Sequence, residues 1–261
     1  MQRPGNFRCF GYLVRGIKFG MLRSLEIALG FLTVFKVRVE PPPDSTEIAG
    51  SAWTFPVVGA ILGLLLAAGH AVAVMCFPAS VTAVLVVVAW VFLTGGLHLD
   101  GWADCWDALA ASVPLKDRYE ILKDSRVGTF GVVAVLSLLA VKTTAIAAGE
   151  FSAVMLFLAP AIGRGVMLIA ASGAVHRGDG MGALFLSALN KPMLRWVTGI
   201  TVVLALLGGW RGLVALGAAY LGSLWFRRLA ESRIGVINGD VLGGMCELSE
   251  AIVLLVACAS P

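Results

Sequence analysis

Charge is scarce in this chain of 261 residues: Lys, Arg, Asp and Glu make up 14% of it, where a soluble domain carries roughly 25%. The five cysteines, Cys9, Cys76, Cys105, Cys246 and Cys258, form no CxxC pair and no Cys/His framework, which argues against a disulfide scaffold and a zinc site. No basic stretch is interleaved with aromatics, so nucleic acid is not an expected partner. The layout of a cleavable secretory signal is also missing. The basic start runs into a short apolar piece with no small-residue cleavage site before "VFKVRVEPPP".

What the chain has instead is apolar surface: 59% hydrophobic residues and a mean hydropathy of +0.90, the composition of an integral membrane protein. Runs approaching the ~20 residues of a membrane helix are read at 53–77, 79–97, 129–148, 152–172, 194–209, 212–226 and 240–258, two of them short. The stretch "SLEIALGFLTVFKV" over 24–37 is shorter still and is expected to be interfacial or re-entrant. No linker separates domains and no repeat recurs at a fixed period. The expectation is one membrane-embedded domain over 1–261, with 1–23 as a basic N-terminal segment. Its fold is expected to be all-α, a polytopic bundle of roughly six to eight membrane segments.

Charge then sorts the loops. Segments 98–126, 173–195 and 227–240 carry Lys or Arg together with acids, and the start holds only basic charges. The alternate turns at 77–80, 149–152 and 209–212 carry at most one charge each. The positive-inside rule places the three polar segments on the cytoplasmic side and the C-terminus opposite. The pI near 8.9 fits basic residues facing anionic membrane lipid.

The first polar segment opens with "GGLHLDGWADCWD", 95–107, in which Asp100, Asp104 and Asp107 stand four and three apart. On a helix these share one face. Like charges at that spacing repel, so a cation is expected among them. A hard ion such as Mg²⁺, which takes carboxylates together with phosphate oxygens, suits the pattern. The plainer alternative is a solvated helix end, but a favourable N-terminal acid accounts for Asp100 and not for Asp107. Trp102, Cys105 and Trp106 fall on the other sides and are expected at a lipid interface. His98 reads as a polar helix end in preference to a base.

Two more stretches carry chemistry. In "KDRYEILKDSRVGTFG", 116–131, Lys123, Asp124 and Arg126 precede a Gly-Thr-Phe-Gly turn. Amides at such a turn bind anions, and an arginine grips phosphate bidentately; the plainer reading is a set of lipid anchors. In "NGDVLGGMCELSEAIVLL", 238–255, Asp240 and Glu247 are seven apart on one helical face, with Glu250 less well aligned. An ionisable group at membrane depth is a functional candidate by default, against the bland alternative of a carboxylate bonded to backbone. Arg164, inside "APAIGRGVML", could pair with such a carboxylate or meet a phosphate. The loop "HRGDGMGALF", 176–185, with His176, Arg177 and Asp179 among glycines, suits a segment covering substrate.

The blocks "TGGLHLDGWADCWDAL", "KDSRVGTFG", "FPVVGAILGLLL" and "NGDVLG", followed by a glutamate, resemble the adenosylcobinamide-GDP ribazoletransferases, also called cobalamin synthases. The resemblance runs from "FLTVFKV" to the last helix. It implies a membrane transferase of late cobamide assembly, in the bacterial inner membrane with its active site facing the cytoplasm. Such an enzyme joins α-ribazole, or its 5′-phosphate, to adenosylcobinamide-GDP and releases GMP, with Mg²⁺ as cofactor. Asp100, Asp104, Asp107 and Asp124 are then metal-ligand candidates. Lys123, Ser125, Arg126, Arg164, Arg177, Asn238, Asp240 and Glu247 are substrate-binding candidates. Asp100, Asp104 and Asp124 are the catalytic candidates, with Asp104 or Asp124 accepting the proton of the ribazole hydroxyl. Ala108 stands where a glycine is usual, and "GVINGD" replaces a commoner Gly-Gly-x-Thr-Gly-Asp; neither removes a charged group. An assembly of several copies stays open.

Two other readings compete. A CDP-alcohol type of membrane phosphotransferase also uses an Asp-Gly-rich helix with metal, but Asp104 follows Ala103 where that motif has Arg. A cation-coupled transporter predicts ionisable groups at the membrane midplane with access from both sides, whereas here most of them gather toward one side.

Overall fold

Apolar runs closed by glycine, proline or a polar cap fold as helices in the computed structural model, which describes residues 20–124, 126–148, 153–174 and 180–259. Among those residues there is no strand. The first helix, α1, covers 20–32, and α2 (Ser45–Gly50) runs through a 3₁₀ turn (Ser51–Thr54) into α3 (Phe55–Ala73). There follow α4 (Ala79–Thr94), α5 (Leu97–Ala110), α6 (Leu115–Leu122), α7 (Thr129–Ala147) and α8 (Ala153–Ala171). The chain ends with α9 (Met181–Ala188), α10 (Lys191–Leu206), α11 (Gly209–Arg233) and α12 (Gly239–Cys258). The expected all-α bundle is found.

The count of six to eight spans is not confirmed. Among the described residues, four helical stretches are long and apolar enough to cross a bilayer: Ser45–Ala73, Thr129–Ala147, Ala153–Ala171 and Gly239–Cys258. A fifth is reached only if α4 and α5 count together, and these are bent by 93°. The run 194–209 folds as the 16-residue α10, shorter than the ~20 residues a bilayer needs. The run 212–226 lies in α11, which carries Arg211 near its start and Arg227, Arg228, Glu231 and Arg233 near its end. Residues 24–37 do not form a span: α1 stops at residue 32, and Val34 N–H donates to the Leu93 carbonyl at the end of α4 (3.0 Å).

The bundle is built on α8 and α12, the candidate spans with most of their residues buried. Helix α8 packs against α3, α10, α11 and α12, and α12 packs against α5, α7 and α11 as well. Along α3, Gly59 and Gly63 let the backbone touch α8 near Pro160 and Phe157, the small-residue contact that membrane helices use where no hydrophobic drive separates lipid from protein.

The bend between α4 and α5 has a local cause. Gly95 and Gly96 both take positive φ, 63° and 69°, a conformation that side-chain-bearing residues avoid. Two such residues in a row turn the chain through a right angle, so α5 does not continue the path of α4. Its acidic face is thereby carried away from the span.

Candidate active site

Three polar segments that are distant in sequence meet in one cavity of about 550 Å³. Segment 98–126 supplies His98, Asp100, Tyr119 and Lys123; segment 173–195 supplies Gly180, Met181, Gly182, Ala183 and Phe185; segment 227–240 supplies Asn238, Gly239 and Asp240. Parts of all three polar segments thus line one cavity.

Local packing explains how the carboxylates come together. Helices α5 and α12 cross at Gly101, where a Cβ would lie 2.7 Å from the Asp240 carbonyl oxygen and 2.8 Å from its Cα. This close approach places Asp100, one residue before Gly101, beside Asp240. Asn238 caps α12, its side chain accepting from Val241 N–H (3.1 Å), and donates to Asp240 Oδ2 (2.7 Å). The amide thus fixes the carboxylate at the mouth of the helix. Asp104, one turn along α5 and half-buried, lies in the field of Asp100, Asp240 and Asp107.

Asp107 has a different task. It accepts from Gly128 N–H (2.7 Å) and Gly131 N–H (2.8 Å), so it caps the N-terminus of α7 from another helix. A Cβ on Gly128 would lie 2.5 Å from its carboxylate, which explains the glycines of "VGTFG". Both oxygens are committed to amides. Among the described residues, no group of three or more His, Cys, Asp or Glu side chains stands ready to hold a metal ion.

The remaining candidates divide. Lys123 reaches the cavity, its Nζ 4.5 Å from the centre of the Tyr119 ring. Arg118, next to Tyr119, donates to the Leu109 and Val113 carbonyls (3.1 and 3.2 Å) and so ties α6 to the end of α5. Arg126 does not line the cavity. It forms a surface ion pair with Asp124, Nη2 to Oδ2 at 2.6 Å, and this hydrogen-bonded guanidinium holds the Asp124 carboxyl down at about 2. Ser125, His176, Arg177 and Asp179 lie outside the described residues.

Arg164 and Glu247 are not brought to the cavity either. Lys142 of α7 donates to both Glu247 and Glu250 of α12, each at 2.5 Å, and Arg164 of α8 donates to Glu250 at 2.7 Å. All four side chains are buried, and Lys142 also lies over the Trp90 ring at 4.4 Å. Of the readings offered for Arg164, pairing with a carboxylate is the one this geometry displays. The sequence reading missed Lys142 and undervalued Glu250, although a lysine inside "VLSLLAVKTTAIA" is the same signal that singled out Arg164. Trp102 and Cys105 also differ from expectation. They face protein, Trp102 stacking on Phe226 (5.5 Å), because α5 lies across α12 with its apolar side inward.

Comparison with known proteins places these features in a family context. The profile described as CobS, cobalamin-5-phosphate synthase, matches residues 24–258. A protein of Brevibacillus brevis named adenosylcobinamide-GDP ribazoletransferase is 35% identical, over 89% of this chain and 96% of its own length. Proteins of the same name from Ectopseudomonas mendocina (36%; 90% and 98%) and Pseudomonas aeruginosa (35%; 90% and 97%) are similar to the same extent. No solved structure matches.

Proposed function

The chain belongs to the CobS family of cobalamin-5-phosphate synthases, and from that premise we propose that it is a membrane-embedded transferase joining α-ribazole, or α-ribazole 5′-phosphate, to adenosylcobinamide-GDP with release of GMP. The observation that carries the reading is the convergence on one cavity of Asp100 and Lys123, from one polar segment, with Asp240, from another far along the chain. In the reaction a ribazole hydroxyl oxygen attacks the phosphorus on the cobinamide side. A new P–O bond forms, the pyrophosphate P–O bond to GMP breaks, and the hydroxyl proton passes to a carboxylate. Such a transfer asks for positioning and charge neutralisation more than for covalent catalysis.

The residues fit those needs. Lys123 is a cation at the cavity, placed to neutralise the pyrophosphate. Asp124 is tied to Arg126 and held at about 2, a poor proton acceptor. Asp104, one turn along α5 from Asp100 and outside the cavity lining, is the carboxylate assigned to the proton. Asp100 and Asp240 are hard oxygen donors on opposite sides of a close helix crossing, and carboxylates crowded in this way call for a cation. They suit Mg²⁺, which is held by one or two carboxylates plus substrate phosphates and needs no all-protein cage. When bound, Mg²⁺ would supply Lewis-acid stabilisation of the phosphoryl oxygens. The basic charge of the polar segments supports a cavity facing the cytoplasm from a bacterial inner membrane, in contact with anionic lipid.

The test is direct. Purified protein is incubated with adenosylcobinamide-GDP, α-ribazole and Mg²⁺, and GMP and the cobalamin product are followed. Stoichiometric appearance of both is expected. No GMP release at any Mg²⁺ concentration, from folded protein, overturns the reading.

A further inference from the structure

We propose that the apolar wall of the cavity, centred on Phe31, is the seat of the ribazole base and a determinant of which bases are accepted. This rests on the function proposed above.

The lining of the cavity separates into two patches. One is polar: Asp100, Lys123, Asn238 and Asp240. The other is aromatic, contributed by α1, α3 and α9. The Phe31 ring sits 4.9 Å from Phe185 and 6.2 Å from Phe55, and Phe55 and Phe185 meet edge to face at 5.0 Å. Phe55 and Phe185 are buried behind, whereas Phe31 is partly open to the cavity. A ring held from two sides is a fixed stacking surface, and stacking on such a surface loses little conformational freedom.

Both substrates bring a planar base, so the chemistry of the wall has to decide between them. Guanine carries donors and acceptors around its edge. Phe31, Phe55, Phe185, Met167 and Leu242 offer it no partner side chain, and desolvating an unmet polar edge is unfavourable. The base of α-ribazole is an alkylated benzimidazole with no exocyclic donor or acceptor and one ring-nitrogen acceptor, so it gives up far less hydration than guanine on entering an apolar wall. Size agrees. A cavity of about 550 Å³ is within the range for a small ligand, roughly 300–1,000 Å³. A corrin macrocycle carrying two nucleoside groups has to leave most of its bulk outside. With the base against Phe31, the ribose hydroxyls lie toward Asp100 and Asp240, where the pyrophosphate is to be attacked.

The experiment uses the full chain in nanodiscs, as wild type, Phe31→Leu and Phe31→Tyr. KM is measured for each substrate, GMP is tested as an inhibitor, and α-ribazole binding is measured by calorimetry. Phe31→Leu is expected to raise the α-ribazole KM on the order of tenfold, the scale of losing one base-stacking contact. The adenosylcobinamide-GDP KM and GMP inhibition should stay unchanged, and Phe31→Tyr should restore the α-ribazole value. A rise in the adenosylcobinamide-GDP KM with weakened GMP inhibition would seat guanine on the wall and overturn the proposal, as would no change in either KM. Wild-type protein that neither releases GMP nor binds α-ribazole sinks the proposed function itself. α-Ribazole binding that is equally tight in wild type and in Phe31→Leu, with GMP release intact, sinks only the seat.

Discussion

Replacing Lys142 with Met keeps the length of the side chain and removes one charge from the centre of the bundle. Lys142 and Arg164 face Glu247 and Glu250, so two positive groups balance two negative ones. After the change Glu250 keeps Arg164, but Glu247, whose only ion-pair partner among the described residues is Lys142, is left buried and charged. Breaking a buried pair from one side costs about 3–5 kcal/mol, a large share of the ~5–15 kcal/mol by which a domain is held folded. Removing both partners is different. In Lys142→Met with Glu247→Leu the remaining pair is neutral, and buried pairs replaced by apolar groups are often close to neutral in stability. The double variant should therefore recover most of the loss, a coupling of ~2–3 kcal/mol in the mutant cycle. Unfolding in mixed micelles, with helicity as the signal, measures all four corners of the cycle. A single variant within ~1 kcal/mol of wild type, or a double variant as unstable as the single, would refute the view that these charges matter by cancelling one another.

Other outcomes follow from the same geometry. Asp107→Ala removes the acceptor for two α7 amides and should cost ~1–2 kcal/mol in thermal unfolding, while the Mg²⁺ concentration needed for half-maximal activity stays put; a large rise in that concentration would make Asp107 a metal ligand after all. Asp100→Asn should leave membrane yield intact and slow GMP release on the order of a hundredfold, ~3 kcal/mol of transition-state stabilisation; full activity at ordinary Mg²⁺ would remove Asp100 from the chemistry. The Asp124 carboxyl is held at about 2, below its ordinary 3.8, so what the pair contributes is present above pH ~4 and is lost as pH falls toward 2. Arg126→Lys should move an NMR-detected titration of Asp124 upward, and an unmoved titration would mean that the pair does not form in solution. Cysteine labelling of 98–126, 173–195 and 227–240 should succeed from one side of the membrane for all three, and labelling of any two from opposite sides would break the single-face arrangement.

How much of this was legible in the sequence depends on what each signal measures. Hydropathy announced a helical membrane protein, because a lipid-facing backbone has to satisfy itself within helices. It read more spans than the four or five that length and apolarity support among the described residues, because an apolar run such as 194–209 also suits a short helix. Spacing put Asp100, Asp104 and Asp107 on one face, yet their partners were out of reach of any local pattern. Asp107 bonds to amides 21 and 24 residues away, and the crossing that pairs Asp100 with Asp240 spans more than half the chain. The glycines of "VGTFG" suggested anion-binding amides. Those amides do hold an anion, the carboxylate of Asp107. Phe31, Phe55 and Phe185 gave no signal, since a phenylalanine in an apolar run looks the same whether it faces lipid, core or ligand.

The two groups of charge in this chain answer one constraint in different ways. Ionised side chains at membrane depth are expensive, and a helix bearing three aspartates on one face is a poor candidate to cross. The left-handed pair Gly95 and Gly96 turns that helix through 93° from its predecessor, which keeps the acidic face by an open cavity while the apolar side packs on α12. The charges that do remain at depth are gathered so that they cancel. This arrangement weighs against transport more strongly than the sequence could. A conducting path needs ionisable groups in contact with water along its length, but Glu247 and Arg164 are closed into ion pairs. The space beside Lys142 and Glu247 is about 10 Å³, at most the room of a single water. That space is narrow for a cation path, whereas a phosphoryl transfer needs only the one open side that Asp100, Lys123 and Asp240 share.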